Sequence, residues 1–326
     1  MMRTPFLSGL SFMTALLVAG TTVHAQSARS NKPVRLIIAN SAGSTPDAAT
    51  RAATDLLSRG LGQPWVVENR PGGEGIIAAE AGARAAPDGY TFFLASATSL
   101  AIIPHLRKSI PYDPVKDFIP VAMVIDSGPS AVAVNVELPV KTLPELIAYT
   151  RSNPGKLSYS VSFAYLGAVG TWLTNATGMD MVQINYKEAP QAVQDAIGGR
   201  VPVMLNALAT VEQVVQSGKM RIVAMTSARR VPSWPDVATV AETVPGYEAN
   251  AWLSLAAPAG TSMDVVNRVN KEMQTVVRNP QFLQRVEKLS WTNIGGANTP
   301  QGLSQFYRIE FEKWGKILRD AGVKPE

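Results

Sequence analysis

The feature that most constrains the fold is an alternation of strand-like and helix-like segments near the start of the chain. Apolar runs rich in β-branched and aromatic residues at 33–39, 65–68 and 90–94 are separated by two Ala-rich runs suited to helices. Thr45 is predicted as the N-cap of the first helix, with Pro46 at its first helical position. Strands that alternate with helices in this way predict a parallel sheet with crossover helices.

A second α/β unit is predicted after Tyr112. Segments 121–125 and 131–135 are read as two strands that lead into it, and strands and helices then alternate as far as 226. A return strand at 252–257 and three helices at 264–278, 280–288 and 300–321 complete the predicted order. With 326 residues, of which 46% are hydrophobic, the chain is long enough for two cores.

The N-terminus predicts export. Arg3 precedes the apolar stretch FLSGLSFMTALLVAG, and Val23-His24-Ala25 ends it in the pattern that a signal peptidase accepts. Cleavage is therefore expected after Ala25, which leaves Gln26 as the first mature residue and places the protein in the periplasm. A retained membrane anchor is the alternative, although the stretch is short and contains Ser, Gly and Thr.

Composition excludes several kinds of chemistry. The chain has Cys 0 and His 2, and His24 lies in the predicted signal, so His105 alone remains in the mature protein. Disulfides are impossible and the common zinc patterns are ruled out. The net charge of +5 is spread along the chain without a basic block beyond Arg229-Arg230, so no nucleic-acid partner is expected. No metal, no cofactor and no catalytic residue is predicted.

The Gly-rich turn at 71–75 raises the possibility of a phosphate site. No Lys follows Gly75 as a P-loop requires. The dinucleotide fingerprint fails as well, because no third Gly follows and the turn lies in the second crossover. No Gly-x-Ser-x-Gly elbow is present. The turn is therefore interpreted as a tight strand-to-helix connection.

Polar loops follow several predicted strands and precede helices. They lie at 41–45, 96–99, 162–165 and 206–210. Ligands of open parallel sheets bind beyond the carboxyl ends of the strands, where helix N-termini offer N–H donors that suit anions. Ordinary helix capping would explain any single loop, but four loops in two units favour a binding cleft.

Several stretches in one order resemble the Bug, or TctC-type, periplasmic solute receptors of tripartite tricarboxylate transporters. The resemblance runs from about Pro33 to Gly322. The stretches are GSTPDAATR from Gly43, ENRPGGEG with PDGYTFF, IPYDPVKDFIPV, NPGKLSYS, GGRVPV, GKMRIVAMTSARR, PGYEANAW and APAGT. In this light ENRPGG is a scaffold signature of the family and not a phosphate cradle.

The resemblance implies an α/β, two-domain periplasmic-binding-protein fold of the Venus flytrap type, each domain a mainly parallel sheet flanked by helices. Residues 1–25 would be the signal peptide, 26–128 plus 253–326 domain 1, and 129–252 domain 2. The resemblance also implies a monomer that binds a small carboxylate, performs no chemistry and delivers its ligand to integral membrane permease subunits.

The resemblance further implies which loops contact the ligand. These residues are Ser41, Ala42, Gly43, Ser44, Thr45, Asp47, Ser96, Ala97, Thr98, Ser162, Phe163, Ala164, Tyr165 and Asn206. The chain departs from the family where Phe163 and Tyr165 replace small residues and where Ala39-Asn40 replaces Pro-Phe. Two readings of the aromatic pair stay open: the rings favour an aromatic mono- or dicarboxylate, or they merely pack the loop.

Two other functions remain open at this stage. The chain could be a secreted enzyme on a similar two-domain fold, although it lacks a nucleophile motif. It could also be a receptor that reports its ligand to a membrane signalling partner instead of a permease.

Overall fold

A computed structural model describes residues 1, 32–186, 189–289 and 298–326. The strands are β1 (Val34–Ile38), β2 (Trp65–Asn69), β3 (Thr91–Ser96), β4 (Phe118–Asn135), β5 (Leu157–Val161), β6 (Met181–Asn185), β7 (Val203–Ala207), β8 (Met220–Met225) and β9 (Asn250–Pro258). The helices are α1 (Thr45–Leu61), α2 (Ile76–Ala83), α3 (Ile103–Leu106), α4 (Leu143–Ser152), α5 (Ala164–Thr177), α6 (Ala189–Ile197), α7 (Leu208–Val215), α8 (Met263–Val276), α9 (Pro280–Glu287) and α10 (Pro300–Asp320).

The strands form one sheet in the order β2-β1-β3-β9-β4-β7-β5-β6, with β8 also paired to β4. Residues 118–129 of β4 pair with β9 and, together with β1, β2 and β3, make up what we term the first half-sheet. Residues 130–135 of β4 pair with β7 and β8 and, together with β5 and β6, make up the second half-sheet. The expected α/β fold is confirmed.

The strand pairing is mixed, which corrects the expectation of mainly parallel sheets. Pairs β1–β2, β1–β3, β5–β6 and β5–β7 are parallel, as crossover helices require. Pairs β3–β9, β4–β9, β4–β7 and β4–β8 are antiparallel. The antiparallel pairs arise because β4 and β9 are the segments in which the chain passes between the half-sheets.

β4 is one strand where the sequence predicted two. The sequence DSGP at 126–129 suggests a turn, and Gly128 does adopt a φ of +73. Backbone pairing nevertheless continues, since Asp126 pairs with Trp252 and Pro129 with Asn250 across a register shift. A bulge therefore lies between the two segments that were predicted as separate strands, and the strand continues through it.

Both faces of the first half-sheet are buried. Leu36 and Ile38 pack in one hydrophobic cluster beneath α1 and α8, whereas Ile37, between them, belongs to a second cluster on the opposite face. This explains why β1 is continuously apolar and does not alternate with polar residues. Residues Asn31–Glu326 pack as one unit.

Helix α1 begins one residue earlier than the predicted cap implied. Ser44 is the N-cap, because its hydroxyl accepts a hydrogen bond from the Asp47 amide at 3.5 Å, and Thr45 is already helical. Serine is the more favoured of the two residue types at an N-cap, so Ser44 follows the ordinary preference. At the other end Gly62, with a φ of 64, closes the helix, and Gly60 lies inside it.

No helix among the residues that the structure describes is long and apolar enough to cross a membrane. The predicted signal peptide lies outside the described residues, apart from Met1.

The turn within ENRPGGEG depends on glycine conformations. Gly72 has φ 115 and ψ 162, a region that is essentially restricted to glycine. A Cβ added at Gly72 would also lie 3.1 Å from Ile77 Cδ1.

We expect Gly72→Ala to lower the free energy of unfolding by about 2–3 kcal/mol, measured by chemical denaturation. Gly178→Ala is the matched control. Gly178 also has a positive φ, of 67, but it is left-handed helical and has no atom within 4 Å of an added Cβ, so a loss of only about 1 kcal/mol is expected. Equal losses in the two variants would contradict a scaffold role for this turn.

Candidate functional site

The register of the strands brings the carboxyl ends of β3, in the first half-sheet, and β7, in the second half-sheet, toward each other. Ser96, the last residue of β3, pairs with Leu253, which in turn pairs with Ile125 of β4. Ala207, the last residue of β7, pairs with Ser130 of β4. Ser130 comes five positions after Ile125 in β4, a span of at most about 17 Å. The loops after β3 and β7 therefore approach each other across the middle of β4.

Neighbouring strands bring further loops to each edge. β1 pairs with β3, so the loop at 39–44 lies beside the loop at 96–99. β5 pairs with β7 and β6 with β5, which places Ser162 and Tyr186, the residues that follow these two strands, on the opposite side. All four polar loops singled out in the sequence thus belong to the two facing edges, the location where open α/β sheets bind ligands.

Gly75 supports both loops of the first half-sheet from behind. A Cβ placed on Gly75 would lie 3.5 Å from Cβ of Ala39 and 3.8 Å from Cβ of Ser99. The ENRPGGEG turn therefore packs against the base of the site.

The Asp47 carboxylate organises the first loop. It accepts hydrogen bonds from the Gly43 amide at 2.9 Å, from Asn69 Nδ2 at 2.8 Å and from Arg51 Nε at 3.0 and 3.1 Å. Burial opposes ionisation of this carboxylate, but these donors outweigh it, so the pKa of Asp47 lies below its ordinary value. The hydrogen bonds of the carboxylate are therefore made within the protein. Ser41, Ala42 and Gly43 are exposed at the edge.

The loop after β3 is closed by a pair of serines. The Ser96 amide donates to Ser99 Oγ at 3.1 Å, and the Ser99 amide donates to Ser96 Oγ at 3.2 Å. Ala97 is buried, whereas Ser96 and Thr98 are half-buried at the edge. The Tyr112 hydroxyl donates to the Ser99 carbonyl at 2.6 Å and anchors the loop from below.

Helices α5 and α7 begin at the opposite edge without a side-chain cap. Their N-cap residues are Phe163 and Ala207, and neither has a side chain that can accept a hydrogen bond from the first turn. The Ser162 hydroxyl, just before Phe163, is buried and has no hydrogen-bond partner among the described residues. Two adjacent helix N-termini thus lie at this edge with their first backbone donors uncapped by side chains.

The two aromatic residues of this loop have different environments. Tyr165 is buried, and its ring meets Trp314 of α10 edge-on with centroids 5.9 Å apart. Phe163 is 60% exposed. The interpretation that the rings pack the loop therefore applies to Tyr165, whereas the ring of Phe163 is accessible at the edge.

Asn206 lies at the end of β7 and is buried. Its Oδ1 accepts a hydrogen bond from the Ala207 amide at 2.8 Å, directly before α7.

Tyr186 is a residue at this edge that the sequence reasoning missed. Its amide donates to the Val161 carbonyl at 2.8 Å, beside Ser162, and its hydroxyl donates to Asp195 at 2.7 Å. Desolvation and the Asp195 carboxylate raise the pKa of Tyr186 to about 12, so the phenol stays protonated. Tyr186 directly follows β6, so the search for polar loops after predicted strands could have identified it.

The arginines that flank the first loop are paired within the protein. Arg51 binds Asp47, and Arg70 Nε donates to Glu68 at 2.6 Å. Within the described residues no cluster of three or more His, Cys, Asp or Glu side chains could hold a metal ion.

Another concave surface, of about 490 Å³, lies away from these loops. It is an open groove at the amino end of β2, lined by Ser58, Arg59, Gly62, Gln63, Pro64 and Trp65. Because parallel sheets bind ligands at the carboxyl ends of their strands, we place the site at the facing loops and not in this groove.

The fold and the facing loops define the class of periplasmic solute-binding proteins. The family model described as tripartite tricarboxylate transporter family receptor matches residues 49–323, and the chain belongs to this family. The resemblance identified in the sequence is thereby confirmed. The family consists of solute receptors, not enzymes, and its members are periplasmic.

Relatives and solved structures agree with this assignment. Protein BugT of Bordetella pertussis is 30% identical over 322 residues, which cover 97% of this chain and 96% of BugT. The R. palustris protein Rpa4515, solved with adipate, has a TM-score of 0.79 and 30% identity, covering 90% of this chain and 98% of that one. MatC from Rhodopseudomonas palustris, solved with bound malate, has a TM-score of 0.75 and 25% identity, covering 88% of this chain and 99% of that one.

We expect Asp47→Asn to destabilise the protein by about 1–3 kcal/mol at pH 7, because a buried carboxylate with several donors is lost. The folded-state pKa lies below the ordinary value of 3.8. The contribution of Asp47 is therefore complete above that value and disappears as the pH falls through the folded-state pKa. Urea denaturation of both proteins at pH 7 and at acid pH measures this difference.

Asp55→Asn is the control for this experiment, because Asp55 is exposed on the same helix. A change within about 0.5 kcal/mol is expected for it. A difference between wild type and Asp47→Asn that persists at acid pH would contradict the role assigned to the ionised carboxylate.

Proposed function

We propose that the protein is a periplasmic receptor that captures a small carboxylate between the two half-sheets and delivers it to a membrane permease. The two lobes of this receptor would be residues 26–128 plus 253–326 and residues 129–252, as the sequence predicted. Phe163 and the exposed residues of the first loop would face the ligand from opposite lobes. The mature protein would begin at Gln26 and act as a monomer.

The observation that carries this proposal is the pair of uncapped helices. α5 and α7 start at adjacent strand ends, and neither has a side chain that accepts a hydrogen bond from its first turn. A carboxylate would supply the missing acceptor and would interact favourably with both helix dipoles. Across the cleft, Ser44 already caps α1, so the exposed loop at 41–43 has a fixed shape before ligand arrives.

The expected strength of this binding is reasonable without a buried arginine. A hydrogen bond to a charged group contributes about 1.5–3 kcal/mol. Three or four of them, less the cost of association, reach the roughly −8 kcal/mol of micromolar binding.

Two related structures support a carboxylate ligand, since one protein was solved with adipate and the other with malate. Both ligands are dicarboxylates with short aliphatic bodies. Family membership supports delivery to a permease, because the family is described as transporter receptors.

We expect malate or adipate to raise the melting temperature of protein that was exported as the full chain, recovered from the periplasm, and unfolded and refolded to remove carried-over ligand. Free ligand at about a thousandfold excess over Kd adds about 4 kcal/mol to stability. The dimethyl ester of each acid is the matched control, because it keeps the carbon skeleton and removes the charge. Mass spectrometry of the same sample reads the mature N-terminus, which is expected at Gln26.

The outcomes of this screen separate the candidate functions. Stabilisation by acids and not by their esters supports the receptor. Equal stabilisation by an acid and its ester would contradict carboxylate recognition. Conversion of the acid during incubation, followed by NMR, would instead indicate a secreted enzyme.

Uptake of radiolabelled ligand by cells with and without the gene tests delivery to a permease. Loss of uptake that the restored gene repairs supports transport. Unchanged uptake together with an altered transcriptional response to the acid would favour the signalling receptor.

A further inference from the structure

The ring of Phe163 sits at the site without an internal role, and this inference rests on the proposed carboxylate receptor. Phe163 is 60% exposed and is the second residue after β5, at the carboxyl edge that faces the first half-sheet. Single exposed apolar side chains are common on proteins and need no explanation by themselves. The position of this one does need an explanation.

Phe163 occupies the N-cap of α5, with φ −144 and ψ 151. Ser, Thr, Asp and Asn are preferred there because their side chains accept a hydrogen bond from the first turn. A phenyl ring gives up that bond, and with most of its surface in water it gains little packing in return. The residue thus costs stability on both counts, a pattern typical of functional positions.

The first turn of α5 is held firmly, so the exposed ring does not reflect a loose loop. Tyr165, two residues later, is buried against Trp314, and Trp172 of the same helix meets Trp314 at 5.9 Å and stacks on Tyr247 at 4.0 Å. A buried aromatic cluster therefore fixes the backbone that carries Phe163, so the position of its Cα at this edge is defined.

The polar groups beside the ring also lack partners. The Ser162 hydroxyl is buried and without a hydrogen-bond partner among the described residues, and α5 has no side-chain cap. A buried hydroxyl without a partner is unfavourable unless a ligand supplies one. The same short segment thus offers uncapped backbone donors, an unpaired hydroxyl and an accessible aromatic face.

One type of molecule complements all three features. We propose that the receptor selects a carboxylate with an aromatic body, whose carboxylate accepts hydrogen bonds at the start of α5 while its ring packs against Phe163. Stacking of two aromatic rings adds to the affinity beyond the burial of apolar area, so Phe163 is the residue that determines specificity for the body of the ligand.

The experiment compares three acids by isothermal titration: terephthalate, its saturated cyclohexane analogue and adipate. The first two hold their carboxylates at similar positions and differ in aromaticity, and adipate is the open-chain reference. Wild-type protein is expected to bind terephthalate about tenfold more tightly than the saturated analogue. Phe163→Ala is expected to weaken terephthalate by about tenfold and adipate by less than about twofold.

Two further variants keep the test decisive. Phe163→Tyr retains the ring and is expected to keep the preference for terephthalate. Val182→Ala is the matched control, because Val182 is also an exposed apolar side chain of the second half-sheet but lies near the start of β6, away from the carboxyl edge. It is expected to leave all three affinities unchanged, and melting temperatures confirm that each variant is folded.

The results distinguish this inference from the function on which it rests. Tight binding of adipate or the saturated analogue, with no preference for terephthalate or no effect of Phe163→Ala, would overturn the aromatic selectivity and leave the carboxylate receptor intact. Binding of no acid by the wild-type protein would overturn both.

Discussion

The hydroxyl of Thr226 joins three segments of the chain at the point where β4 passes between the half-sheets. It accepts a hydrogen bond from the Ser130 amide at 2.8 Å, and carbonyls of Ala249 and Ser130 lie 2.8 and 3.1 Å away as acceptors for its proton. Backbone bonds from Thr226 to Ser130 and from Ala249 to Thr226 complete the junction. Thr226 is fully buried, so each of these groups would be costly to leave unpaired. The junction fixes where β4, the end of β8 and the start of β9 meet. Because β4 and β9 set the register of their neighbours, the carboxyl ends of β3 and β7 are directed toward each other.

A second buried polar group links this junction to the site. Glu310 of α10 accepts hydrogen bonds from the indoles of Trp252 and Trp314, both at 3.3 Å, and also pairs with Lys313. Trp252 lies in β9 beside the bulge of β4, and Trp314 packs against Tyr165 in the first turn of α5. A buried carboxylate is tolerated because its acceptors are satisfied. Through these contacts the helix that begins at Phe163 is positioned by the strand that connects the two halves.

Much of this arrangement was predictable from local sequence. The order of strands and helices follows from apolar runs, caps and glycines, and most boundaries agree within a few residues. One error occurred where tertiary pairing overrode a local signal. Separate strands were predicted at 121–125 and 131–135, but β9 pairs across the residues between them and keeps β4 continuous. The cap of α1 was a local error, because Thr45 was predicted although serine, here Ser44, is the more favoured N-cap residue. The loop after β6 belongs to the same edge as the others, yet it was not selected.

The sequence alone determined that the chain is an α/β protein of the transporter-receptor family, with polar loops after its strands. These properties follow from composition, periodicity and motif order, which are local. Only the tertiary structure decided how the individual site residues are used. The carboxylate of Asp47 hydrogen-bonds to groups of the protein around the first loop. Tyr165 packs on Trp314, whereas Phe163 is accessible to solvent. The reason is physical: the role of a side chain depends on partners that are distant in sequence, such as Asn69 for Asp47 and Trp314 for Tyr165.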